Sequence, residues 1–108
     1  MLSVERLLDE PMKGTYEMAN DNTIFLKVGG GSQANKVAGS VVKNIEEGKK
    51  VVLKAIGAGA VNQMIKSITI ARSMIASTGR DMHFTSGFST EIIEGEEKTC
   101  LLIFVFTS

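Results

Sequence analysis

Apolar positions in this chain switch twice from a two-residue period to a helical one. Ile24, Leu26 and Val28 alternate with Thr23, Phe25 and Lys27, which predicts a strand over 23–28 with one apolar face. After Gly29-Gly30-Gly31, the residues Ala34, Val37, Ala38, Val41, Val42 and Ile45 fall on one stripe of a helix. Ser32 is expected to cap that helix and Gly48 to stop it. The cycle then repeats. Val51 to Ile56 reads as a strand, and Gly57-Ala58-Gly59 as a tight turn. A second helix is expected from about Val61 to Ser77, with Val61, Met64, Ile65, Ile68, Ala71 and Ile75 as its stripe. A third strand is expected over Asp81 to Ser86, with a bulge or bend at Gly87 beyond which the pattern allows continuation to Ile93. Glu94-Gly95-Glu96-Glu97 reads as a hairpin turn, and Thr99 to Thr107 as the last strand. The order β-α-β-α-β-β predicts a two-layer α/β sandwich. Right-handed crossovers would put both helices on one face of a four-stranded mixed sheet.

Residues 1–21 contain the single proline, Pro11, and many charges, and read as a partly flexible extension with at most a short helix at Val4 to Glu10. Residues 22–108 form the compact domain. With 108 residues, 44% of them hydrophobic and 22% charged, the chain is long enough for one modest core. No apolar run approaches ~20 residues, so no membrane span is expected. Met1 to Arg6 lacks the basic and apolar regions of a secretory signal. Cys100 is the one cysteine and sits in an apolar run, where it reads as a buried small hydrophobe; a cytoplasmic location is expected. Charge is balanced overall but unevenly placed. Residues 1–21 carry two basic against five acidic side chains, residues 22–88 nine against three, and residues 89–108 one against four. A mildly basic middle between acidic ends is unlike a DNA-coating protein that is basic throughout.

The two glycine-rich helix starts are the main candidates for chemistry. Gly57-Ala58-Gly59 opens like a dinucleotide fingerprint, but Asn62 stands where the third glycine belongs and the strands are too few. No P-loop signature is present. His83 is the one histidine, and with Cys100 it makes no metal site. A His83–Cys100 dyad is disfavoured because the thiol lies mid-strand in an apolar run. Glu94, Glu96 and Glu97 read as a solvated turn rather than an acid and base pair. No cofactor and no catalytic role are expected. The architectural reading of the glycines, as tight turns, stands level with a reading as backbone-approach sites for an anion. Lys36, Lys43, Lys54, Lys66 and Arg72 could form a basic surface, or be ordinary solvated positions.

The string Lys54-Ala55-Ile56-Gly57-Ala58-Gly59-Ala60-Val61-Asn62-Gln63, with Lys66 and Ile70-Ala71-Arg72 behind it, closely resembles the stage V sporulation protein S family. Leu26-Lys27-Val28 and Asn35-Lys36-Val37-Ala38-Gly39 extend the resemblance, as does the hairpin from Ile92 to Thr99, over about residues 23–108. That family looks like a bacterial relative of the Alba nucleic-acid-binding proteins, which share this element order and form dimers. The resemblance implies a regulator of sporulation or septation acting through nucleic acid. Three departures from the Alba pattern stand out. Gly29 to Ser32 occupy a loop where Alba proteins carry lysines, and Ala58 stands in place of an arginine. The hairpin arm, often basic, ends here in Glu94, Glu96 and Glu97. Each missing cation removes a phosphate contact and flattens the salt dependence of binding, which argues against tight coating of duplex DNA.

The expectation is a non-enzymatic, dimeric or higher-order Alba-like module that binds a DNA or RNA backbone. Gly57, Gly59, Asn62, Gln63 and Lys66 would contact phosphates, with Ser32, Gln33, Asn35, Lys36 and Lys54 beside them. The alternative is a protein-interaction scaffold, in which surplus apolar surface and the acidic hairpin recruit a partner and the glycines are architectural.

Overall fold

The computed structural model describes residues 15–18 and 22–108. Its elements are β1 (Thr15–Met18), β2 (Thr23–Val28), α1 (Ala34–Glu46), β3 (Lys50–Ala55), α2 (Ala58–Ala76), β4 (Met82–Ile93) and β5 (Glu96–Thr107). The expected β-α-β-α-β-β order is present over β2 to β5, as a two-layer Alba-like sandwich. β2 and β3 are parallel, and β5 joins β3 and β4 by antiparallel pairing. The four-residue β1 adds a fifth strand at the edge, antiparallel to β2, so the sheet order is β1-β2-β3-β5-β4. The short helix expected at Val4 to Glu10 lies outside the described residues.

Both helices cover one sheet face, because their stripes and the strands' alternation meet there. Ala38, Val41 and Ile45 of α1 and Met64, Ile68, Ala71 and Ile75 of α2 pack on Ile24, Leu26, Val28, Val51 and Leu53. The opposite, outer face carries a second buried cluster of Phe25, Val52, Cys100 and Leu102. Cys100 is fully buried, as its apolar surroundings imply. Ile65, placed on the core stripe by spacing, is 40% exposed instead.

β4 runs without a bulge. Its twelve residues pair in unbroken register with β5, from Met82 opposite Thr107 to Ile93 opposite Glu96. Gly87 is needed for a neighbour rather than a bend: a Cβ there would meet the Phe104 ring at 3.3 Å. The hairpin turn is only Glu94-Gly95, with φ of 53° and 81°, the positive values that a two-residue type I′ turn demands. Glu96 and Glu97 therefore belong to β5.

Candidate nucleic-acid interface

Parallel pairing sets Val28 level with Ala55, so the loops leaving β2 and β3 emerge side by side. They touch. A Cβ on Gly30 would lie 3.9 Å from the carbonyl carbon of Gly59, and one on Gly59 would lie 3.8 Å from the Cα of Gly30. Backbone thus packs on backbone where the two helices begin. The loops are also clamped: Gln63 Nε2 donates to the Ser32 carbonyl at 2.8 Å. Ser32 does not cap α1. Its hydroxyl accepts the Gly29 N–H at 2.8 Å, and its own N–H donates to the Gly29 carbonyl at 3.1 Å, closing the glycine loop on itself.

The N-cap positions fall to Gln33 and Gly57, and neither supplies a side-chain cap. No acidic residue stands in the first turn of either helix. Two positive helix ends therefore lie together without side-chain caps or acids, and helix geometry leaves first-turn N–H groups without intrahelical acceptors. Gly57 has φ of 92°, which an L side chain adopts at a cost, whereas Gly59 is helical with room for a methyl. Gly57→Ala should accordingly lose ~1–2 kcal/mol in urea unfolding, and Gly59→Ala should lose nothing measurable.

The sequence-derived residues divide clearly. Gln33, Asn35 and Lys36 are exposed at the start of α1, and Gly57, Gly59, Asn62 and Lys66 are exposed along α2. Ser32 and Gln63 are half-buried and act as the clamp. Lys27, not singled out from sequence, joins Ser32, Gln33 and Lys36 around a shallow cleft of about 230 Å³. Its place two residues before the glycine loop, alternating with the apolar Leu26 and Val28, was the available signal.

Lys54 does not belong with them. It is 1% exposed, on the outer face beside Val52, with its Nζ 3.7 Å from Glu91 Oε2. Among the described residues neither atom has a hydrogen-bond partner, and nor does the nearby Ser89 hydroxyl. Burial pushes the Lys54 ammonium below its ordinary range, against the pull of Glu91. The same burial pushes the Cys100 thiol up, with Lys54 opposing. Arg72 is also engaged, donating Nε to the Met82 carbonyl at 3.0 Å and Nη2 to Asp81 at 3.2 Å. The basic surface suggested by composition thus reduces to Lys27, Lys36 and Lys66 near the loops, with Lys43 in the last turn of α1.

Among the described residues no three His, Cys, Asp or Glu side chains group as metal ligands, and no helix is long and apolar enough to cross a membrane. His83 is exposed and stacks on Phe106, with ring centroids 5.5 Å apart.

The sheet, the helix layer and the abutting glycine loops define an α/β module of the Alba-like class. The family model for stage V sporulation protein S (SpoVS) matches residues 24–108, and the chain belongs to that family. Membership supports a sporulation-related regulatory role.

Proposed function

We propose that this protein is a non-enzymatic nucleic-acid-binding regulator of sporulation or septation that works as a homodimer. The observation that carries the reading is the contact of Gly30 with Gly59, which sets two helix N-termini without side-chain caps side by side. Phosphate oxygens suit such donors, and backbone glycine lets a nucleic-acid strand approach closely. Exposed Lys36 and Lys66 stand on the two helices that meet there. Few cations surround the loops, so the geometry favours a limited number of phosphate contacts over coating of long duplex.

Dimerisation is supported by apolar surface on the helix side of the hairpin. Phe84, Phe88 and Ile92 recur every fourth residue along β4 and are 41%, 77% and 59% exposed. A cleft of about 520 Å³ between α2 and β4, with Phe84 on its rim, continues this surface. An exposed apolar stripe of this length marks an interface, and self-association covers it in a symmetric pair. Sedimentation should give a dimer at micromolar concentration, and Phe88→Lys should shift it to monomer.

Filter binding against duplex DNA, single-stranded DNA and RNA, at low and physiological salt, tests the main reading. Binding to at least one class that weakens with salt is expected; no binding to any overturns it. The scaffold reading draws on Glu94, Glu96 and Glu97, all exposed at the hairpin tip. Reversing Glu96 and Glu97 to Lys would abolish partner capture and leave nucleic-acid behaviour unchanged if that reading holds.

A further inference from the structure

β4 is an edge strand that nothing blunts. Its twelve residues pair with β5 along one side, and among the described residues no strand pairs along the other. Edge strands of this length usually carry a proline, a bulge or outward charges that discourage pairing with another chain. β4 has no proline and no bulge, and its one charged side chain, Glu91, is directed at Lys54 on the outer face.

The helix-side residues of this strand have the same pattern read from either end. Alternation from the core residue Met82 puts Phe84, Ser86, Phe88, Thr90 and Ile92 on that side, and all five are exposed. Their order is apolar, small polar, apolar, small polar, apolar, centred on Phe88. When a second β4 is laid antiparallel about that centre, Phe88 faces the second copy's Phe88. Phe84 then faces its Ile92, and Ser86 its Thr90. Other registers lose this match. A shift of two residues sets Phe88 against Ser86 or Thr90, and a shift of four sets Ile92 against Arg80 or Phe84 against Glu96. The two ends of the strand are complementary in charge as well. Arg80 precedes β4 and Arg72 donates to the Met82 carbonyl, so two arginines outweigh Asp81 at the start. Glu94, Glu96 and Glu97 stand exposed at the far end. Antiparallel pairing brings each acidic tip to the other copy's arginine end, whereas parallel pairing would set acid against acid.

We infer that β4 pairs antiparallel with β4 of a second copy, centred on Phe88, joining two five-stranded sheets into one. This rests on the homodimer proposed above and specifies its seam. The two-fold axis keeps both helix layers on one side of the joined sheet. β4 runs parallel to β2 and β3, because β5 is antiparallel to both of its neighbours. The two pairs of glycine loops therefore lie at opposite ends of the dimer.

Thiols placed on β4 test the register. The full chain on a Cys100→Ala background would carry Ser86→Cys or Thr90→Cys, with far-UV circular dichroism recorded for each. Equal parts of the two variants are mixed, left to exchange subunits and oxidised, and disulfide-linked dimers are weighed as intact proteins. In the inferred register the two different thiols are directly opposite, with Cβ atoms ~5 Å apart. Thiols of one variant are four residues out of register, ~14 Å along the strands and beyond disulfide reach. The mixed dimer is expected in at least about tenfold excess over either same-variant dimer. A wild type that sediments as a dimer, without that excess in the mixture, overturns this pairing and leaves the homodimer standing. A wild type that is monomeric at every concentration overturns both. Should either variant fail to fold, hydrogen exchange of the wild type at micromolar concentration decides. All amides from Phe84 to Ile92 should be protected, since β5 holds one set and the second copy the other; protection at every second amide only overturns the inference.

Discussion

Glu91→Leu should destabilise the protein by ~3–5 kcal/mol, whereas Lys54→Met/Glu91→Leu together should be at least as stable as the wild type. The reason lies in the quality of the pair. Two charges have been taken out of water, but their nearest atoms are 3.7 Å apart, too far for a hydrogen bond, and neither finds another partner among the described residues. Coulomb attraction then repays little of the desolvation cost. Removing one partner leaves a buried charge with nothing opposite it; removing both replaces a poor ion pair by apolar packing next to Val52 and Leu102. The single variant also carries a pH signature. Burial already holds the folded-state pKa of Lys54 below its unfolded value of 10.5, and losing Glu91 lowers it further. A depressed folded pKa means that the unfolded chain binds the extra proton, so stability rises as pH climbs through the folded pKa towards 10.5. Glu91→Leu should therefore regain part of its loss under alkaline conditions. The Cys100 thiol works in the opposite direction: its folded pKa is raised, so its contribution is lost as pH rises above 9.0. The comparison belongs on a Cys100→Ala background, by urea unfolding at several pH values.

Local periodicity made most of the fold legible. Strands β2 and β3, both helices and the hairpin follow from apolar spacing interrupted by glycine, because each needs only near neighbours in sequence to bury one face. What escaped depends on partners far along the chain. Thr15–Met18 has only four residues, too short for its alternation of Tyr16 and Met18 with Thr15 and Glu17 to stand out, and it pairs with β2. Gly87 looked like a bulge because its neighbour, the Phe104 ring on the adjacent strand, is not visible locally. Lys54 shows the same limit at the candidate site. Its sequence neighbours set it beside the phosphate contacts, because a strand lysine reads as solvated unless its cross-sheet partner Glu91 is known. The glycine loops were recognised one by one; their contact follows from β2 and β3 being adjacent and parallel, which sets both strand ends at one level. Gln63 was assigned to phosphate by type, yet its amide holds Ser32. An amide side chain can serve a ligand or a loop equally well, and only the position of the acceptor decides.

Lys36→Glu/Lys66→Glu should weaken nucleic-acid binding by about 100-fold at 0.1 M salt and leave thermal stability nearly unchanged. Both side chains are exposed, and neither forms an ion pair among the described residues. A phosphate contact releases ~0.9 counterion on duplex and ~0.7 on a single strand, so one contact contributes about 1 kcal/mol at 0.1 M salt. Two lost contacts give roughly 30-fold, and reversing the charges adds repulsion of the remaining phosphates. The slope of log affinity against log salt should fall by ~1.8 on duplex or ~1.4 on single strands, and variant and wild type should converge near ~1 M. Lys43→Glu is the control. It sits in the last turn of α1, at the end away from the glycine loops, and should change affinity by no more than about threefold through the general field. Ala58→Arg supplies the converse. Ala58 is exposed at the first position of α2, so an arginine there adds one cation beside the free N–H groups. It should tighten binding by about tenfold and steepen the salt slope by nearly one. A double reversal that leaves affinity untouched, together with an arginine that gains nothing, would remove the paired helix starts from the interface and shift the role of this surface to protein contacts.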